Sequence, residues 1–208
     1  MHSHAESGAD AEVDVSRRRF LTAATVATGA VGVVFAATPF IKSWKPSERA
    51  RAAGQPVEID VSRLEPGQMV QAVWRMKPIY IVRRTEAMLA GLDQNNPELK
   101  DPQSSSSEQP KYAANEARSS NPEYLVLIAT CTHLGCLPKQ RFTPADTTLG
   151  ADWPGGFFCP CHGSRFDMAG RVFKGSPASR NLAVPPYAFE QGGKLIIGID
   201  QGPAEGVA

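Results

Sequence analysis

Hydrophobic and polar positions divide this chain into three regimes. No charge interrupts the run from Leu21 to Ile41, whose 21 residues as a helix at ~1.5 Å each span roughly 31 Å, near the ~30 Å hydrocarbon core of a bilayer. Thr22, Thr25, Thr28, Gly29 and Gly32 dilute its Ala and Val, so the segment is only modestly apolar. Ser43 to Pro56 has no apolar face and closes on Gly54 and Pro56, which reads as a linker. Extended at ~3.3 Å per residue it reaches on the order of 45 Å, and half that or less if it continues as a polar helix. From Val57 the pattern becomes that of strands: Val57–Val61 and parts of Met69–Trp74 alternate, and Pro78–Val82 is a short apolar run. Thr85–Leu92 suits a short helix. Asp93–Pro122, with Asn95-Asn96-Pro97, Asp101-Pro102 and Ser104–Ser107, reads as a long surface excursion without chemistry. Strands are expected again at Tyr124–Thr130, Gly156–Phe158, Tyr187–Glu190 and Lys194–Ile199, the last two joined as a hairpin through Gly192-Gly193.

Composition changes this picture little. A net charge of +1 supplies no basic field for nucleic acid, and Gly 18 with Pro 17 against 8% aromatics leans toward a loop-rich, mainly β domain. Sequence motifs change it more. Ser16-Arg17-Arg18-Arg19-Phe20-Leu21 places a twin arginine directly before the apolar run, the pattern of a Tat export signal. The run is long enough to stay as an anchor, although Ala50-Arg51-Ala52 offers a cleavage site beyond it. Basic residues flank both ends, so the export signal rather than the charge count puts the C-terminal domain outside the cytoplasm. The resulting division is a disordered cytoplasmic start at 1–16, signal and anchor at 17–42, a flexible linker at 43–56 and one domain at 57–208.

All four cysteines lie within one short stretch, in the boxes Cys131-Thr132-His133-Leu134-Gly135-Cys136 and Cys159-Pro160-Cys161-His162-Gly163-Ser164. Two disulfides or a zinc site are the ordinary readings of four such cysteines. Plain disulfides leave His133 and His162 unexplained, and a two-Cys, two-His zinc site leaves two cysteines idle. The other two histidines, His2 and His4, sit in the polar N-terminus. A [2Fe–2S] centre with two thiolates on one iron and two imidazoles on the other needs one Cys and one His from each of two loops, and these boxes supply them.

In these boxes the chain resembles the Rieske family, specifically the iron–sulfur subunits of cytochrome bc₁ complexes, and the likeness extends over the Tat-like start, Val57–Arg84 and Gly170–Tyr187. The resemblance implies a Rieske-type antiparallel β domain with an inserted cluster-binding subdomain at about 129–180, behind a single N-terminal transmembrane helix. It makes Cys131 and Cys159 ligands of the inner iron and His133 and His162 ligands of the outer one, with Cys136 and Cys161 joined as a disulfide between the loops. It gives Ser164 a hydrogen bond to a bridging sulfide. It makes Gly175-Ser176-Pro177-Ala178-Ser179 a loop covering the cluster, with Ser179 where a second proline is usual. Phe166 stands where the mitochondrial members carry a tyrosine that bonds a ligand sulfur, so a lower potential than theirs is expected. Leu134 would lie at the exposed tip, where it either touches a quinone site or packs as an ordinary loop residue.

The function implied is that of a subunit of quinol–cytochrome c reductase. It takes one electron from quinol at the positive side of the bacterial inner membrane and passes it to a c-type cytochrome, c₁, beside cytochrome b in a dimeric complex. Reduction makes the cluster more negative and raises the affinity of its histidines for protons. His162 is the first candidate for the quinol contact and His133 the second. Alternatives are a Rieske subunit of another exported oxidoreductase, such as an arsenite oxidase, and a Rieske ferredoxin of an oxygenase system. The ferredoxins generally lack the extra cysteines and the anchor.

Overall fold

In the computed structural model, the described residues are 14–200, which leaves most of the expected disordered start, residues 1–13, outside them. Helix α1, Val15–Ser43, runs 29 residues, beginning and ending beyond the uncharged stretch. Asp14 caps it by accepting from the N–H groups of Ser16 and Arg17 at 3.0 and 3.1 Å, so Ser16 belongs to the helix. The three threonines that dilute the apolar run turn their hydroxyls back onto carbonyls four residues earlier, at 2.8–2.9 Å. That internal satisfaction lets polar side chains sit on an otherwise apolar helix. The stretch that follows departs from a fully extended linker. Glu48–Ala53 forms a short helix, α2, opened by Ser47, whose hydroxyl accepts from Ala50 N–H.

The chain divides into two compact units, and among the described residues the second, from Arg51 onward, contains three three-stranded antiparallel sheets. Strands β1 (Val57–Asp60), β2 (Met69–Trp74), β3 (Lys77–Arg83) and β4 (Tyr124–Ile128) are followed by β5 (Lys139–Arg141), β6 (Gly156–Cys159) and β7 (Ser164–Phe166). Strands β8 (Tyr187–Glu190) and β9 (Lys194–Ile197) complete the set. The sheet orders are β1-β9-β8, β2-β3-β4 and β5-β6-β7. Strand β3 is central and apolar on both faces, with Ile79 through Val82 all buried against β2 and β4. The expected β8–β9 hairpin forms through Gly192 and Gly193, both at positive φ (83° and 78°). A Cβ on Gly193 would meet Ser62 Cβ at 2.7 Å, so only glycine fits. Thr85 caps helix α3, Glu86–Asn95, by accepting from Met88 N–H at 3.3 Å.

The segment from Asp93 to Pro122 is not a surface excursion. Leu99, Ala113, Arg118 and Ser119 are buried in it, and Leu99 bridges antiparallel to Phe173. Its turns are stitched inward by polar groups. Asn181, itself buried, donates to Asp101 O and Ser104 Oγ at 2.9 and 2.8 Å, and Tyr187 OH meets Ser119 Oγ at 2.8 Å. Turn-forming residues betray a loop's conformation but not where it packs, so the sequence pattern misled here.

Arg84, Arg118 and Arg171 are buried near the turn that follows β7. Arg84 donates to Met168 O at 3.0 Å and Arg118 to Ala169 O at 3.2 Å. Arg171 pairs with the buried Asp167 carboxylate at 2.8 Å and donates to Leu92 O. Burial pushes Arg84 and Arg118 down to about 10, with Asp167 opposing, so both stay charged at neutral pH. Nothing in the sequence separates these arginines from surface ones.

Candidate metal centre

Two loops of similar construction carry the boxes. Strand β4 delivers Cys131 and strand β6 ends on Cys159. In each loop the cysteine carbonyl accepts from a glycine N–H four residues on, Gly135 to Cys131 and Gly163 to Cys159, both at 2.9 Å. Both glycines sit at positive φ, 83° and 77°, which closes the turn where other residues would be strained. Tyr80 buttresses the first loop by donating to Pro138 O at 2.7 Å and stacking on Phe157 of β6 at 5.7 Å.

The loops converge as the boxes predict. Cys131 and Cys159 are free and buried. The Cys159 thiol is pushed up first by burial and also by the Cys131 thiol beside it, while the N–H groups of Cys161 and His162 oppose the shift. The rings of His133 and His162 meet edge to face, 4.8 Å between centroids. Cys136 and Cys161 form a disulfide across the loops, with Cα atoms 6.6 Å apart. The sulfurs of Cys136, Cys159 and Cys161 lie within 4.8 Å of one another, but the two in the disulfide offer no thiolate. Metal-binding capacity therefore rests on the two buried thiols and the two imidazoles.

Three observations test whether a [2Fe–2S] group fits. Two thiols held in contact below the surface are costly to ionise unless a cation compensates them. Nδ1 of His133 is buried without a hydrogen-bond partner, the condition of a ring nitrogen that serves as a ligand. Ser164 Oγ is buried and accepts from Ala178 N–H at 3.0 Å, which leaves its proton available to a further acceptor. Two thiols, two imidazoles and a spare buried donor suit a cluster with one iron on each ligand type. Leu134, in the first loop, is 70% exposed.

Residues 103–187 match the model of the Rieske [2Fe-2S] domain, and residues 8–47 match that of the Ubiquitinol-cytochrome C reductase Fe-S subunit TAT signal. Among relatives, the ubiquinol–cytochrome c reductase iron–sulfur subunit of Allochromatium vinosum is 53% identical over 92% of this chain and 93% of its own. The subunit of the same name from Blastochloris viridis is 43% identical over 89% of this chain and 94% of its own. That from Bradyrhizobium diazoefficiens is 41% identical over 88% and 94% respectively. This chain belongs to the family of ubiquinol–cytochrome c reductase iron–sulfur subunits. Its domain is thus a Rieske [2Fe–2S] domain, behind an N-terminal apolar helix and a Tat signal.

Proposed function

We propose that this chain is the iron–sulfur subunit of a bacterial quinol–cytochrome c reductase, with Cys131 and Cys159 on one iron of its cluster and His133 and His162 on the other. When bound, that cluster supplies a one-electron carrier whose potential is raised because neutral imidazoles replace two thiolates. His162, exposed at the loop tip, offers its outer ring nitrogen to a quinol hydroxyl, and half-buried His133 stands beside it. An imidazole in that place accepts the proton a quinol must release, which a thiolate ligand does poorly. Leu134 and Leu137 of the first loop are exposed and offer apolar surface to a quinone ring. The disulfide ties the loops so that both rings keep their relative orientation.

Cytochrome b and a c-type cytochrome, c₁, are the proposed partners in a dimeric membrane complex, with the C-terminal domain on the periplasmic side. An oxidising compartment accommodates the disulfide, and a twin-arginine signal provides export to it. The observation that carries the reading is the convergence of two buried free cysteines and two facing histidines in a chain of this family. Purification from membranes tests it. Co-isolation with cytochromes b and c, and a Rieske-type EPR signal in the reduced sample, are expected; a soluble chain without cytochromes contradicts the reading.

A further inference from the structure

The arm from Glu98 to Lys100, which the sequence pattern assigns to a functionless loop, is bonded to the segment that leads into the covering loop. Lys174 N–H donates to Glu98 O at 2.8 Å, Leu99 bridges to Phe173, and Lys100 N–H donates to Val172 O at 3.0 Å. This pairing carries the Lys100 side chain to the loop Gly175–Ser179. There its ammonium donates to Ser176 O at 2.5 Å and Ala178 O at 2.8 Å. Two carbonyls of one loop are held by one cation, an arrangement stronger than neutral hydrogen bonds. Ala178 is wholly buried, and its own N–H donates to Ser164 Oγ at 3.0 Å. The loop is thus fixed from outside by Lys100 and fixes Ser164 within.

The consequence lies at the serine hydroxyl. A hydroxyl that accepts from a fixed N–H keeps one proton and a restricted set of directions for it. No protein acceptor takes that proton among the described residues. We propose that Lys100 is a positioning residue for the redox centre: by clamping the covering loop it holds Ala178 N–H on Ser164 Oγ and so turns the serine proton toward the cluster. This rests on the ligand set proposed above. A rigid donor of that kind stabilises the reduced, more negative state and raises the midpoint potential. The ammonium also supplies stiffness that a proline ring in place of Ser179 would give.

The test uses the full chain with its cluster, in wild-type, Lys100→Met, Ser164→Ala and doubly substituted forms, redox-titrated by EPR. Hydrogen exchange across residues 175–179 is followed in parallel. Ser164→Ala and Lys100→Met should each shift the midpoint to lower potential, and the double variant should match Ser164→Ala alone. Exchange at the Ala178 amide should quicken about tenfold or more in Lys100→Met, the scale of losing hydrogen bonds to a charged donor. Additive shifts would show the lysine acting through its bare charge and overturn the proposal, as would an unchanged midpoint in Lys100→Met. Unchanged exchange overturns it even where that variant loses its cluster. A midpoint insensitive to Ser164→Ala overturns instead the donor role given to the serine, while exchange still decides whether the clamp exists.

Discussion

Ser164 and Phe166 occupy the same face of one three-residue strand, both fully buried, and β7 aligns Ser164 with Cys159 and Phe166 with Phe157. One supplies a hydroxyl and the other has none. With the ligand set proposed above, Phe166→Tyr adds a buried hydroxyl where the resemblance puts a tyrosine bonded to a ligand sulfur, so the midpoint should rise in protein-film voltammetry; a lowered or unchanged value contradicts this. Away from the centre, Asp167 is the buried carboxylate that pairs with Arg171 among three buried arginines. Asp167→Asn should cost about 3 kcal/mol in denaturant unfolding, because it removes the fully buried counter-charge and leaves Arg171 only the partly exposed Glu116 at 3.5 Å. A loss under about 1 kcal/mol would show that the surrounding carbonyls suffice. Asp101 gives the pH dependence. Burial raises its pKa, but Ser106 and Ser105 N–H and the hydroxyls of Ser107 and Ser105 outweigh that and hold it below the ordinary 3.8. Its stabilising share is therefore complete above the unfolded value and disappears as pH falls through the lower folded one. Acid unfolding followed by circular dichroism should be less steep below pH ~4 in Asp101→Asn, whereas an identical profile would dismiss the serine cage as a contributor.

At the level of elements, legibility followed periodicity. The apolar helix α1 was readable from its uncharged run, and β2, β3 and β4 and the glycine hairpin of β8 and β9 from alternating or uninterrupted apolar patterns that match their burial. Strands β5 and β7 are three residues each, too short to show a period, and only their pairing with β6 defines them. The boxes of the site were readable because the chemistry demands particular residue types at fixed spacing. Lys100, Asn181 and Arg118 were not, since their roles depend on partners 51 to 80 residues away in sequence. Asp93–Pro122 was misread for the same reason. The segment between α1 and β1 we propose as a tether, shortened by α2, whose six residues rise ~1.5 Å each rather than ~3.3 Å. A stiff polyproline replacement of 44–56 should slow quinol–cytochrome c turnover while leaving the cluster's visible spectrum intact; undiminished turnover counts against the tether.

As a whole molecule the chain joins an export-competent apolar helix to a β domain that brings two thiols and two imidazoles together at one end of its loops. In the function proposed above, these four side chains hold a quinol-reducible cluster. Pulsed EPR on membranes frozen after quinol addition, with electron exit to the cytochrome blocked, tests it most directly. A reduced [2Fe–2S] signal coupled to two imidazole nitrogens is expected. A signal without nitrogen coupling, or no signal reducible by quinol, would contradict it.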